Sequence, residues 1–149
     1  MAVGEVCNRE VVVVETRESV LQAAQLMRRH HVGDLVVVER DAAGARPVGI
    51  LTDRDIVVEL VAAGVDLQAV TVGDAMSYRL VTVAEGAELD EAVRTMAGHG
   101  VRRAPVVDGA GRLVGLLALD DVLELLSEQL GELVRLVGRE QRHEAQQRR

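Results

Sequence analysis

The sequence has no lysine, no tryptophan and no phenylalanine, and its only tyrosine is Tyr78. All 17 basic residues are therefore arginine. The missing lysine excludes Schiff-base catalysis, the phosphate-loop lysine of NTPases and the kinase-type lysine together. The missing aromatics remove the stacking platforms on which single-strand nucleic-acid binders rely. Cys7 stands alone, so the chain cannot close a disulfide on itself, which fits a reducing compartment. No apolar run approaches the ~20 residues of a membrane-spanning helix. Met1-Ala2-Val3-Gly4-Glu5 lacks the basic start and apolar core of a signal peptide. Acidic residues outnumber basic ones, 24 to 17, for a net charge of −7. That balance argues against duplex nucleic acid as a partner and leaves no polybasic patch for a membrane surface. A soluble, cytoplasmic protein is expected. Ser19, Ser77 and Ser127 sit in no nucleophile-elbow pattern, and no acid–base constellation converges in sequence, so an enzyme is not expected.

What is present is an internal repeat. At an offset of 69 positions, Val3-Gly4-Glu5 falls on Val72-Gly73-Asp74, Ala23 on Ala92, Met27 on Met96, His30 on His99 and Val37-Val38 on Val106-Val107. The offset then drops to 66, and Val48-Gly49-Ile50-Leu51 falls on Val114-Gly115-Leu116-Leu117, and Asp55 on Asp121. The change puts three extra residues in the first copy, within 39–46, where a loop would tolerate them. Two copies suggest a closed, pseudo-twofold pair in which each unit completes the other's core. The copies are bounded as 3–66 and 67–128, with 129–149 as a helical extension and polar tail.

Each copy reads β-α-β-β-α. A valine-rich strand (11–14; 80–83) precedes a helix whose apolar residues recur at helical spacing: Val20, Ala23, Ala24, Met27, then Leu89, Ala92, Val93, Met96. Gly33, and Gly98 or Gly100, mark the helix ends. Paired apolar runs follow (35–38 and 48–51; 105–107 and 113–117), the second pair joined by the hairpin signal Asp108-Gly109-Ala110-Gly111. The closing helices start at 53 and 120. The last one outruns its counterpart. Leu119, Leu123, Leu126, Leu130, Leu133 and Val137 are spaced 4, 3, 4, 3, 4, a heptad-like seam that either packs on its own domain or forms a dimer contact.

The segment Gly49-Ile50-Leu51-Thr52-Asp53-Arg54-Asp55 joins a strand to a helix. Thr52 reads as an N-cap with Asp55 at N3, a short variant of the capping box. The same atoms have a functional reading, because helix-start amides bind anions and an Asp can accept two hydrogen bonds from a ribose diol. Asp120 reads as a cap for the helix whose preceding strand ends in Ala118. His30, His31 and His99 belong to helix ends rather than to a metal site, and Cys7, falling on Met76, to packing.

The two β-α-β-β-α copies, each with a Met-bearing helix and a valine-rich strand, and with a Gly-hydrophobic-x-Thr-x-x-Asp ending complete in the first, resemble a tandem pair of cystathionine-β-synthase (CBS) domains. The segments 2–7, His30-His31-Val32-Gly33, 49–56 and Val101-Arg102-Arg103-Ala104-Pro105-Val106-Val107-Asp108 look like stand-alone bacterial pairs. The resemblance implies an α/β (α+β) module of two pseudo-symmetric motifs, with a cleft for adenosine compounds such as AMP, ADP, ATP, S-adenosylmethionine or NAD. It implies that Asp55 and Asp121 hold ribose, that Thr52 contacts sugar or phosphate, and that Arg102 and Arg103 neutralise phosphate. The first copy has Gly33-Asp34 at that basic position, where an anion would be repelled, and Arg54 could supply the missing charge. The second has Ala118 in place of Thr. The resemblance further implies a regulatory homodimer that changes conformation with its ligand and acts on an effector protein, without a catalytic cofactor or metal. A dimeric scaffold with a degenerate cleft is the alternative.

Overall fold

The computed structural model describes residues 1–148. Along the chain run α1 (Val3–Val6), β1 (Val13–Glu15), α2 (Val20–His30), β2 (Asp34–Asp41), β3 (Gly44–Thr52) and α3 (Asp53–Asp55), which continues as a π-helical segment (Ile56–Val61). Then come α4 (Val72–Ala75), β4 (Val83–Ala84), α5 (Leu89–His99), β5 (Arg103–Val107), β6 (Leu113–Ala118) and α6 (Leu119–Gln147). The expected unit occurs twice, as two three-stranded sheets, β1-β2-β3 and β4-β5-β6. In each, the first strand runs parallel to the middle one and the last two form an antiparallel hairpin. Even the irregularity repeats: the register shifts between Val37 and Val38 in one sheet and between Val106 and Val107 in the other.

The strands are short because each apolar run outlasts its partner. β1 begins at Val13 rather than at 11, since it pairs only with Val36, Val37 and Val38. β4 shrinks to two residues, paired with Val106 and Val107. The three extra residues of the first copy do not make a loop. They lengthen the β2–β3 hairpin, which stays paired through Glu39–Arg46, Arg40–Ala45 and Asp41–Gly44. The helix after Thr52 also departs from expectation, widening to π geometry at Ile56.

Two cores hold the fold. Val14, Val20, Ala23, Met27, Leu35, Val37, Leu51 and Ile56 fill the first, and Val83, Ala92, Met96, Ala104, Val106, Leu117 and Val122 the second. Each is closed by a turn from the other repeat. Val3 of α1 belongs to the second core, where Val3 N–H donates to the Ala87 carbonyl (2.9 Å) and Gly4 N–H to that of Glu85 (2.9 Å). Val72 and Met76 belong to the first, where Val72 N–H donates to Glu18 (2.8 Å) and Gly73 N–H to Thr16 (2.9 Å). Both crossings use glycine for close approach. A Cβ on Gly49 would lie 2.6 Å from Met76 Sδ, and one on Gly115 2.6 Å from Cys7 Sγ. Cys7 and Met76 thus do equivalent packing work, and burial pushes the Cys7 thiol above its ordinary pKa. A further reciprocal pair ties the hairpin tips: Arg46 Nη1 donates to the Ala110 carbonyl (2.8 Å), and Arg112 Nη1 to that of Ala43 (3.1 Å).

Candidate functional site

The ends of β3 and β6 launch α3 and α6, and the same backbone contact fixes both. Asp53 N–H donates to the Gly33 carbonyl (2.9 Å), and Leu119 N–H to that of Arg102 (2.8 Å). The start of each closing helix is therefore tied to the residues just ahead of the middle strand. Thr52 and Asp55 form a complete capping box. Asp55 N–H donates to Thr52 Oγ1 (3.1 Å) and Thr52 N–H to Asp55 Oδ2 (3.1 Å). The short Asp arm reaches as far as a Glu would, because both residues sit on one tight turn. One oxygen of Asp55, Oδ2, is therefore engaged at home. In the second repeat Ala118 offers no side-chain cap. Asp120 does not cap that helix: its Oδ1 accepts from Arg102 Nη2 (3.2 Å), because a carboxylate two residues inside the helix reaches the preceding loop more easily than its own helix-start amides.

Arg103 is the hinge of the site. Its Nε lies 2.8 Å from Asp34 Oδ2. Asp34 and Arg103 are equivalent positions of the two repeats, so the pair bridges the pseudo-twofold joint. Asp34 is the register partner of Thr52, and Arg103 that of Ala118. The contact thus carries a guanidinium from the second repeat to the Thr52 end of the first. Asp34 is largely sheltered, with 17% of its side chain exposed, against 45% for Arg103. Burial raises the Asp34 pKa, Arg103 pulls it back down, and the nearby Asp53 carboxylate raises it again. Gly33 leaves room for that carboxylate, since a Cβ there would sit 3.1 Å from Asp53 Oδ2.

Thr52, Asp55 and Arg103 are thus brought to one place, around Asp34. Arg54 is on the exposed side of α3, next to Asp53, whose Oδ1 accepts the Arg54 N–H (2.8 Å). Arg102 is tied to Asp120 instead. Asp121 lines a different cavity, of about 410 Å³, with Glu5, Glu124 and Glu128. In the sequence alone Asp34 reads as a local repulsion, whereas the structure pairs it with Arg103. The signal was available: equivalent positions carrying opposite charge meet when a pseudo-twofold axis brings them face to face. Among the described residues no group of three or more His, Cys, Asp or Glu is arranged to hold a metal ion. Among the described residues no helix is long and apolar enough to cross a membrane.

A family model described as the CBS domain matches residues 3–62 and again 72–128. An uncharacterised protein of Methanopyrus kandleri is 38% identical over 126 residues, 84% of this chain; the chain spans 62% of that protein's length. The crystal structure of Hypoxic Response Protein I, a protein of Mycobacterium tuberculosis, with two coordinated zinc ions superposes at a TM-score of 0.72 with 35% identity, covering 83% of this chain and 98% of that one. The cytosolic domain of the Mg2+ channel MgtE in complex with ATP superposes at 0.69 with 29% identity, covering 83% of this chain and 48% of that one.

Proposed function

The chain belongs to the CBS-domain family, and from that premise we propose that it is a regulatory module that binds an adenosine-containing nucleotide at the Thr52 end of the joint between its repeats and answers by shifting the arrangement of a homodimer. The reading is supported by one observation above the others: Arg103 of the second repeat reaches the Thr52–Asp55 turn of the first through Asp34. Phosphate and ribose contacts then come from different repeats, so a ligand that uses both must respond to their relative position. Asp55 Oδ1 accepts from the ribose hydroxyls, Thr52 and the α3 amides face sugar or phosphate, and Arg103 and Arg54 neutralise charge. The ATP complex of the MgtE domain, on the same fold, supports an adenosine ligand. The ligand shifts the dimer only to the extent that it binds one arrangement better than the other.

Thermal unfolding against AMP, ADP, ATP, S-adenosylmethionine and NAD tests this. A ligand at 100 times its Kd adds ~2.7 kcal/mol and raises the midpoint by several degrees. Asp55→Asn keeps the acceptor for Thr52 N–H but weakens the ribose contact, and Arg103→Met removes the charge. Each should reduce a saturable shift by about tenfold in affinity or more. Absence of any shift, in protein shown to carry no nucleotide, favours the scaffold reading. That second reading has its own support, since Arg102 and Arg103 already hold acidic partners.

A further inference from the structure

The part of α6 beyond the second repeat is a helix without a floor. Of its 29 residues only Val122 is buried, whereas Leu126, Leu130, Leu133, Val134, Leu136 and Val137 are each more than half exposed. Leu123, Leu126, Leu130, Leu133, Val134 and Val137 fall within a stripe about 100° wide. Such side chains present on the order of 600 Å² of apolar surface, at the top of the range for the largest patch on a monomer and approaching the ~800 Å² each partner buries in a stable complex.

The chemistry of the stripe selects its occupant. The 4-3-4-3-4 spacing seats the knobs of another helix carrying the same repeat. Within 122–138 the charged residues, Glu124, Glu128, Glu132 and Arg135, lie away from the stripe, so the apolar seam itself carries no charge and the charges beside it act only on the direction of pairing. A shallow hollow of about 410 Å³ over Gly138, walled by Leu133, Val134 and Val137, offers room for a facing side chain. The axial charge distribution sets direction. Asp120, Asp121, Glu124, Glu128 and Glu132 make the first half strongly acidic, whereas in the second half Arg135, Arg139 and Arg142 outweigh Glu140 and Glu144. Parallel pairing would put like halves side by side, and antiparallel pairing puts opposite halves together.

We propose that the α6 stripe is the docking surface for α6 of a second copy of this chain, paired antiparallel. The pairing specifies the dimer contact of the function proposed above and stands apart from its nucleotide.

Sedimentation of the full-length protein tests the surface. A dimer is expected, and Leu130→Glu or Leu133→Glu should raise its dissociation constant at least ~100-fold, because each buries a charge in both halves of a symmetric seam. Both positions are exposed, so circular dichroism and the midpoint of the monomer should stay near wild type, and Glu128→Gln on the back face should leave the dimer intact. A monomeric wild type, or a dimer that survives both substitutions, overturns the proposal. For direction, Gln141→Cys in a Cys7→Ser background carries a spin label. Antiparallel pairing about the middle of the stripe, at Leu130, separates the two labels by roughly 33 Å along the axis. Parallel pairing leaves them ~10–15 Å apart, and that shorter distance would overturn the antiparallel assignment. The variants leave the nucleotide site untouched, so a nucleotide-dependent midpoint shift that persists in Leu130→Glu separates failure of the docking surface from failure of the ligand reading.

Discussion

The two repeats reach the same backbone by different local means. In the first, Ser19 and Gln22 form a complete capping box at the start of α2, and Thr52 and Asp55 form another at α3. In the second, Glu88 and Ala118 stand at those positions and neither provides a side-chain cap. At the other end of the same helices the ranking reverses. The turn after α5 is left-handed at Gly100, whereas the turn after α2 forces His31 into that region at φ 53°. Helix position is therefore set by the strand and by backbone ties such as Asp53 to Gly33 and Leu119 to Arg102, and the caps only adjust stability around it. A capping box retained where it is not needed for position is the reason to look for function at Thr52 and Asp55.

The strongest test of this symmetry is at the crossing glycines. Gly49→Ala brings a Cβ within 2.8 Å of the Ser77 carbonyl and 2.6 Å of Met76 Sδ, and Gly115→Ala within 3.0 Å of the Asn8 carbonyl and 2.6 Å of Cys7 Sγ. Each should cost ~1–3 kcal/mol in denaturant unfolding, after allowing for the smaller entropic gain of Ala over Gly. In a Cys7→Ala background the Gly115→Ala cost should fall, because one of its two clashes is gone. An unchanged cost would mean that the Asn8 backbone alone sets the approach. Next in size are the caps. Thr52→Ala should lose about 1 kcal/mol, and Ala118→Thr should gain up to about the same, with Asp121 available at N3 to close the box. Equal and opposite shifts of a few degrees in the midpoint are expected. If Ala118→Thr gains nothing, the Arg102–Asp120 pair already holds that helix start. Smaller again is His31→Gly, which relieves left-handed strain and should gain ~0.5–1 kcal/mol, whereas Gly100→Ala should lose a similar amount.

Much of this architecture was legible from spacing. The offset of 69, falling to 66, located both hairpins and both closing helices, and Thr52 with Asp55 announced a capping box that the structure contains. Three features were not legible, each for a physical reason. The exchange of leading turns is invisible to a repeat search, because Val3 and Val72 look alike whichever sheet they cover. The three extra residues extend a paired hairpin because Glu39, Arg40 and Asp41 find antiparallel partners, and register is a property of two strands rather than one. The Asp34–Arg103 contact depends on the pseudo-twofold, which aligns residues that the linear sequence separates by a full repeat.

That contact yields the smallest and most specific expectation. Asp34 titrates above its ordinary value in the folded chain because it is buried, despite the pull of Arg103. In the unfolded chain it returns to 3.8. Between those two values the folded protein holds more protons than the unfolded one, so this residue makes stability fall as pH rises through the window. Asp41 and Asp108 act in the opposite sense. Arg46 holds the first below its usual value, and the Arg112 backbone N–H the second, so their contributions appear as pH rises. The bulk curve therefore mixes signs, and only a difference curve isolates Asp34. Wild type minus Asp34→Asn should slope downward with pH across the window and flatten above it. Arg103→Met should carry the Asp34 titration, followed by carboxyl NMR, to still higher pH and widen the window. A difference curve without slope would mean that the carboxylate is solvated where the two repeats meet, its charge held by water as well as by Arg103.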